Sequence, residues 1–476
     1  MRTTVKTLAL PFGLAVALSA GAAGAAETTL PKDLPPYGQD KPLPVPAITQ
    51  KTLDNGLAVW VLSRTDGPPK VDVVLAVRGG KASDPADRPA MSDLLASLLT
   101  EGTRTRSSIE IAEQLQAIGA SIDATAGNDG ITVAGSGLAS GAERLVGLLA
   151  DVGLNASFPE AEVTLAKANA LQALKAAEAQ PSYQASRAIA RAIYGDHPYA
   201  RTLTTETSIE KTDRAALAAA HTARFRPDRA LLVVSGRIDA ATALKYANGA
   251  FGGWKAQGEA PAEVVAAPRE AKPQYVLVER SGSVQSAVRL GRPVFAANDA
   301  DEIPAALANT ILGGGGLDTR LNRNLREDKG YTYGAYSAFS VARRGGAFTS
   351  GADVRNEVTG AAVGEFVKEL QKLIDTPVDA AELERAKRAA AGGYLFRNQL
   401  QSAVARSLAA NWLVGRPPEY LGQFVPRTRE VTAEQVQTMA RRYFDPKTLS
   451  IVVVGDKAVA EQLQAYGKFD ASPAGD

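Results

Sequence analysis

Phe225-Arg-Pro-Asp-Arg-Ala-Leu-Leu-Val-Val-Ser-Gly236 returns in register, in the second half of the chain, as Phe444-Asp-Pro-Lys-Thr-Leu-Ser-Ile-Val-Val-Val-Gly455. Each copy follows a helix-like stretch, Ala215 to Arg224 in the first and Ala433 to Tyr443 in the second. Leu165-Ala-Lys167 and Arg385-Ala-Lys387 are separated by the same offset to within a single position. Two segments sharing one offset mark a long internal repeat. Such a repeat implies two copies of one domain facing each other across a cleft, and the cleft is where chemistry is expected.

The 476 residues, 45% hydrophobic, suffice for more than one large core. Lys and Arg total 53 against 51 acidic residues, so no strong overall field favours nucleic acid or an anionic membrane. Met1 to Ala26 reads as an export signal: Arg2 and Lys6 start it, Leu8 to Ala20 is apolar, and Gly21 to Ala26 is a small-residue cleavage zone. Cleavage is expected after Ala25 or Ala26, giving a periplasmic protein, with secretion beyond the cell as the alternative. Pro11 and the short apolar run argue against a retained membrane anchor. With no cysteine, neither disulfide stapling nor lipidation at a thiol is available.

Residues 27–47 form a proline-rich strip too stiff and polar to pack as an element. Lys51 to Arg64 predicts a hairpin turning at Asp54-Asn55-Gly56, and Val71 to Val77 a further strand. Ser107-Ser-Ile-Glu110 is a capping box opening a helix that Gly119 closes, and helical periodicity covers Glu160 to Glu178 and Tyr183 to Tyr194. A linker, 253–273, with Pro261, Pro268 and Pro273 separates an N-terminal domain, 48–252, from a C-terminal domain, 274–468. The second half repeats the order: strands near Tyr275 to Leu290, a helix near Ile303 to Leu312, and a strand near Ala347 to Val354. Helices follow near Val358 to Leu373 and Ala380 to Leu395. Without strict strand–helix–strand crossovers, the expected class is α+β: two homologous domains, each a mainly antiparallel sheet packed by helices.

Asp93-Leu-Leu-Ala96-Ser97-Leu-Leu-Thr-Glu101-Gly102-Thr103, Asp196-His-Pro-Tyr199, Leu312-Gly-Gly-Gly-Gly316 and Arg320-Leu-Asn-Arg-Asn-Leu-Arg326-Glu-Asp-Lys-Gly-Tyr-Thr-Tyr333 carry a resemblance. Together, in this order and inside a duplicated chain, they resemble the pitrilysin/insulinase family of zinc peptidases, whose short members include the mitochondrial processing peptidase subunits. The resemblance spans about residues 48 to 460. It implies half of a chamber that closes around unfolded peptides. In the family a zinc motif, H-x-x-E-H, directly precedes the segment matching Leu98 to Thr103, and the place is taken here by Asp93, Ala96 and Ser97. The family's third zinc ligand, a glutamate, falls at Ala173, while Glu178 lies on another helical face.

A catalytic zinc needs about three protein ligands and an open position for water, whose pKa it lowers from roughly 16 to roughly 7. Asp93 and Ser97 supply one good donor and one poor one, with no base between them. No metal is therefore expected on this chain, and zinc belongs to a partner. His197, beside Pro198, reads as a structural turn, and His221 as a packed or solvated helix residue. The four glycines lack the lysine and hydroxyl residue of a phosphate loop and read as a flexible loop beside the cleft. The resemblance gives Arg326 and Tyr333 the family's role of holding substrate backbone and the developing oxyanion. The plainer reading pairs Arg326 with Glu327 or Asp328 and packs Tyr333 in a strand. Tyr331 has the wrong spacing.

Two functions follow. The first is a non-catalytic subunit of a heteromeric zinc metallopeptidase, lending Arg326 and Tyr333 in trans to a homologous subunit with an intact H-x-x-E-H. The second is a stand-alone or homodimeric peptide-binding scaffold whose exposed sheet edge takes up extended peptides.

Overall fold

The apolar run in each copy of the repeat becomes the buried heart of a sheet. The structure, a computed structural model, describes residues 47–473. The export segment Met1 to Ala26 and all but the last residue of the proline-rich strip lie outside the described residues. Strands β1 (Ile48–Thr52), β2 (Ala58–Ser63), β3 (Lys70–Arg78), β4 (Ser121–Ala126), β5 (Gly130–Leu138) and β6 (Ala230–Gly236) form one sheet, ordered β1-β2-β6-β3-β5-β4. Strands β7 (Tyr275–Glu279), β8 (Gln285–Val294), β9 (Ala335–Ala342), β10 (Gly345–Arg355), β11 (Ser450–Gly455) and β12 (Asp470–Pro473) form the second, ordered β12-β7-β11-β8-β10-β9.

The repeated segments end in β6 and β11, which hold the same place. Each runs parallel to one neighbour, β2 or β7, and antiparallel to the other, β3 or β8. Every residue of both strands is buried. The remaining pairs are mainly antiparallel and helices cover the sheets, so the fold is α+β with two homologous halves. One edge breaks the duplication: β1 joins β2 antiparallel, whereas β12 joins β7 parallel. Among the described residues no helix is long and apolar enough to cross a membrane.

One face of the first sheet, with Val71, Val73, Leu75 and Val77, packs on helices of its own half, including Ala142–Leu154 and Ala240–Phe251. The opposite face does not. Trp60, Leu62, Val74, Leu231 and Val233 are covered by Val404, Ala405, Leu408 and Ala409 of the Gln401–Leu413 helix, which belongs to the second half. The reverse holds in the other sheet. Ala185, Ile189, Ala192 and Ile193 of the Pro181–Tyr194 helix cover Ala287, Val452 and Val454. The first residues of the two helices, Pro181 and Gln401, are separated by the offset of the sequence repeat, so the helices are copies of each other. Their apolar residues recur at helical spacing, so each presents one stripe to the foreign sheet. Every large aliphatic side chain buried there contributes about 1.5–3 kcal/mol.

One crossover is marked by polar groups. At the start of its helix, Gln401 Nε2 donates to Asp72 Oδ2 (2.7 Å) and to the carbonyls of Lys70 and Ser235 (3.2 Å each). Asp72 and Ser235 face each other on β3 and β6 and are almost wholly buried. The corresponding residues of the other crossover are Pro181, Ala287 and Val454, all apolar, with Ala287 and Val454 again paired.

Between the halves, residues 253–273 run without regular structure but are pinned. The Ala267 amide donates to Arg344 O (2.7 Å), and His197 Nε2 meets Val265 O at 3.0 Å. His197 Nδ1 accepts from the Tyr199 amide (3.2 Å), so the proton sits on Nε2 and the residue is the structural turn expected. The Asp129 carboxyl accepts from Tyr199 Oη (2.6 Å) and the Arg343 amide (2.9 Å), tying the β4–β5 turn to the β9–β10 turn.

Removing the amide in Gln401→Ala strands a buried carboxyl and should cost about 1.5–3 kcal/mol in chemical denaturation. The triple change Asp72→Ala, Ser235→Val, Gln401→Pro copies the apolar crossover and should cost much less. If Gln401→Ala unfolds at the wild-type midpoint, the contact carries no weight.

Candidate functional site

The helix Met91–Leu98 carries Asp93, Ala96 and Ser97, and a buried ion pair sets its position. Arg224 Nη2 donates to Asp84 Oδ1 and Nη1 to Ser92 Oγ, both at 2.7 Å. The Ser92 amide and hydroxyl in turn donate to the two oxygens of Asp84, at 3.0 and 2.8 Å. Asp84 thus caps the helix from outside, with side-chain exposures of 4% for Arg224 and 0% for Asp84. The residue before the helix, Ala90, is in the left-handed region (φ 59), a strained choice for alanine that aims the first turn at Asp84.

Between this helix and Glu160–Glu178 lies a cleft of ≈ 490 Å³, lined by Asp93, Ser97 and Ala173. The structure therefore brings together three of the four positions singled out in the sequence. The fourth, Ala96, is buried in the first-half core and does not line the cleft. Glu178 is likewise absent from the lining and lies 3.7 Å from Arg187. Leu94, Leu98, Leu165 and Ala170 make most of the wall apolar, with Glu101 and Glu162 also present.

The donors do not fit zinc. Burial pushes the Asp93 carboxyl up, with Lys81 at 3.6 Å opposing the shift. Ser97 Oγ donates its proton to Leu94 O (3.0 Å), and Ala173 has nothing to offer. Among the described residues no three His, Cys, Asp or Glu side chains group to hold a metal ion. His221 takes no part in the cleft: burial lowers its pKa to about 4, Nε2 lies 2.8 Å from Gly153 O, and its ring stacks on Phe225.

Arg326 and Tyr333 lie in the second half. Arg326 sits on a widened helical turn, Asn322–Asp328, half-buried, with its nearest acid Glu327 at 3.9 Å. Tyr333 precedes β9 and belongs to no strand. It is 94% exposed and makes no hydrogen bond among the described residues. Tyr331 packs against the second-half core instead, its amide donating to Leu325 O (2.8 Å).

Asn322 was not singled out in the sequence, yet it organises this region. Its Nδ2 donates to Gly316 O and Ala335 O, and its Oδ1 accepts from the Ala335 amide, each at 2.9 Å. It thereby ties the glycine segment to the chain just after Tyr333. An asparagine opening a helix-like run beside four glycines was the available signal. The glycines also differ from the expected loop: Thr310–Gly314 is a widened helical turn with Gly313 buried. A Cβ on Gly313 would lie 2.7 Å from the Ser337 amide nitrogen, so close backbone packing requires glycine there.

The chain is thus a duplicated α+β fold whose cleft gathers no group of three metal-binding side chains among the described residues. Residues 60–207 match the family profile "Insulinase (Peptidase family M16)" and residues 211–390 match "Peptidase M16 inactive domain". The chain belongs to the pitrilysin/insulinase family and is an inactive member of it. It is similar to an uncharacterized zinc protease of Mycobacterium leprae, 26% identical over 87% of this chain and 93% of the relative. It is also similar to a non-peptidase homolog of Helicobacter pylori, 21% identical over 86% of this chain and 95% of that one. The crystal structure of a peptidase M16 inactive domain from Pseudomonas fluorescens shares the fold, with TM-score 0.80 and 24% identity over 86% of this chain and 98% of that one.

Arg224→Ala leaves Asp84 and Ser92 buried without their donor and should cost about 3–5 kcal/mol, measured by denaturation. A loss below that of an ordinary surface change would mean the pair does not set the helix.

Proposed function

We propose that this chain is the non-catalytic, substrate-binding subunit of an exported, heteromeric zinc metallopeptidase. The carrying observation is the division of the residues. Among the described residues the cleft at Asp93, Ser97 and Ala173 gathers no set of metal donors, while Tyr333 stands exposed without a hydrogen bond beside a segment clamped by Asn322. A homologous subunit with an intact H-x-x-E-H supplies zinc and the base. Arg326 and Tyr333 supply hydrogen-bond donors to the substrate backbone and to the tetrahedral oxyanion. An exposed phenol without a hydrogen bond among the described residues suits a donor that acts across an interface. Export to the periplasm, with cleavage after Ala25 or Ala26, belongs to the same reading.

The runner-up, a stand-alone or homodimeric peptide scaffold, is favoured by β4, the last strand of its sheet, which pairs only with β5 among the described residues. Co-purification from the native periplasm separates the two readings: a metal-carrying homologue supports the first, and peptides without one support the second.

The purified mature chain alone should hold well under one zinc per chain and cleave no peptide. One tightly bound zinc, lost on Asp93→Ala, would overturn this. N-terminal sequencing should begin after Ala25 or Ala26.

Mixed with its catalytic partner, Tyr333→Phe should lose mainly kcat, by about 10²–10³ as for other oxyanion donors. Arg326→Ala should be worse and Arg326→Lys a partial rescue, because a point charge does not reproduce the planar fork. Tyr331→Phe is the control and should be nearly silent. Full activity of an assembled complex with both Tyr333→Phe and Arg326→Ala would make these residues structural.

A further inference from the structure

Four arginines meet where the halves join, and their donors go unused. Arg78 ends β3 and Arg229 stands just before β6, on neighbouring strands. Arg343 and Arg344 form the β9–β10 turn of the second half. Three of the guanidiniums converge on one carboxylate, that of Glu263 in the irregular segment 253–273. Arg229 Nη1 lies 3.0 Å from Oε1, while Arg344 Nη2 and Arg343 Nε lie 3.5 and 3.7 Å from Oε2. The fourth, Arg78, lies over the Trp412 ring, 4.2 Å from its centre. Trp412 comes from the Gln401–Leu413 helix that covers the first sheet.

A guanidinium carries five N–H donors, and buried donors are nearly always spent on acceptors. Here no side-chain nitrogen of the four arginines donates a hydrogen bond among the described residues, and each Nε is buried without a partner. The Nη groups of Arg78 are not sealed in this way, and the Arg343 and Arg344 side chains are 25% and 39% exposed, so a ligand can reach them. Glu263 is a loose occupant, since its contacts are ion pairs without hydrogen-bond alignment. Burial, and then the charges of Arg343 and Arg229, bring the Arg78 pKa down to about 10 against the pull of Glu263. The second acid beside them, Asp129, is engaged by Tyr199 Oη and the Arg343 amide. Against these two carboxylates, four guanidiniums leave two positive charges unmatched.

We propose that this cluster binds an oxyanion of the phosphate class, free or as a phosphate monoester. Such an ion carries roughly two negative charges near neutral pH, which matches the excess. Its oxygens accept from Arg78, Arg343 and Arg344, whose planar forks suit a multi-oxygen anion. The Trp412 face holds the Arg78 guanidinium in place and leaves its edge for the ligand. Glu263 is the competing internal carboxylate. One more carboxylate would still leave a charge unmatched. The site needs neither zinc nor a partner subunit, so its test is separate from that of the proposed function.

The mature full-length chain is titrated calorimetrically at low ionic strength with inorganic phosphate, phenyl phosphate and acetate. Phosphate should bind saturably at one ion per chain, and acetate roughly 10- to 100-fold more weakly. Phenyl phosphate binding as phosphate does supports an esterified ligand, and its exclusion supports the free ion. Arg78→Gln should weaken phosphate roughly 10- to 100-fold. Glu263→Gln, which removes the competitor, should tighten it by about 10-fold. Neither side chain makes a hydrogen bond among the described residues, so both variants should fold, as thermal melting checks. Acetate binding as tightly as phosphate overturns the assignment, and so does a phosphate affinity unchanged in both variants. No saturable binding of phosphate overturns it as well, leaving Glu263 as a structural pin.

Discussion

Two sheets, each with two apolar faces, and too few helices in either half to cover both: the exchange of the Pro181–Tyr194 and Gln401–Leu413 helices answers that constraint. Each half supplies the cover for the other's bare face. A first half alone would leave Trp60, Val74 and Val233 in water while its own exchanged helix had no sheet to lie on. The halves therefore stabilise each other through apolar area, and the pinned segment 253–273 and the Asp129 contacts add register to an assembly already closed by packing. Asp72, Ser235 and Gln401 make the two dockings chemically unlike, so that copies of one helix are not interchangeable.

The degenerate cleft persists for a related reason. Nothing in its shape depends on a metal: the Met91–Leu98 helix is held from behind by Arg224, Asp84 and Ser92, and from below by Leu95, Leu98 and Leu99. Donors can be lost from the exposed side without disturbing that support. Asp93, Ser97 and Ala173 line one cleft whose walls are set by this support. Positions on the cleft side record function, and those on the core side record folding.

Much of this was legible in the sequence because it is local. The Asn55-Gly56 turn, the Ser107 capping box and the helical period of Glu160 to Glu178 each appeared where the residues placed them. The shared offset located β6 and β11, and the family resemblance put Ala173 in one site with Ser97. The exchange of helices was not legible, because an apolar stripe states that a partner exists but not which sheet it is. Asn322 escaped for the same reason: its side-chain hydrogen bonds to Gly316 and Ala335 join separate segments of the chain, and no local rule requires them. The widened turn at Thr310–Gly314 was hidden in a run of glycines that suggested a loop, although the decisive fact was the closeness of Ser337.

The exchange has the topology of a domain-swapped dimer whose two copies have been joined end to end. Undo the join at residues 253–273, and what remains is two half-length chains, each reaching across to the other with one helix. The odd outer strands then mark the seam: β1 enters from the front of the chain and antiparallel, β12 from its tail and parallel. Fusion fixed the stoichiometry of the two copies and freed them to diverge. One copy carries the cleft lined by Asp93 and Ser97, the other the exposed phenol of Tyr333, and neither has to serve as its own mirror image.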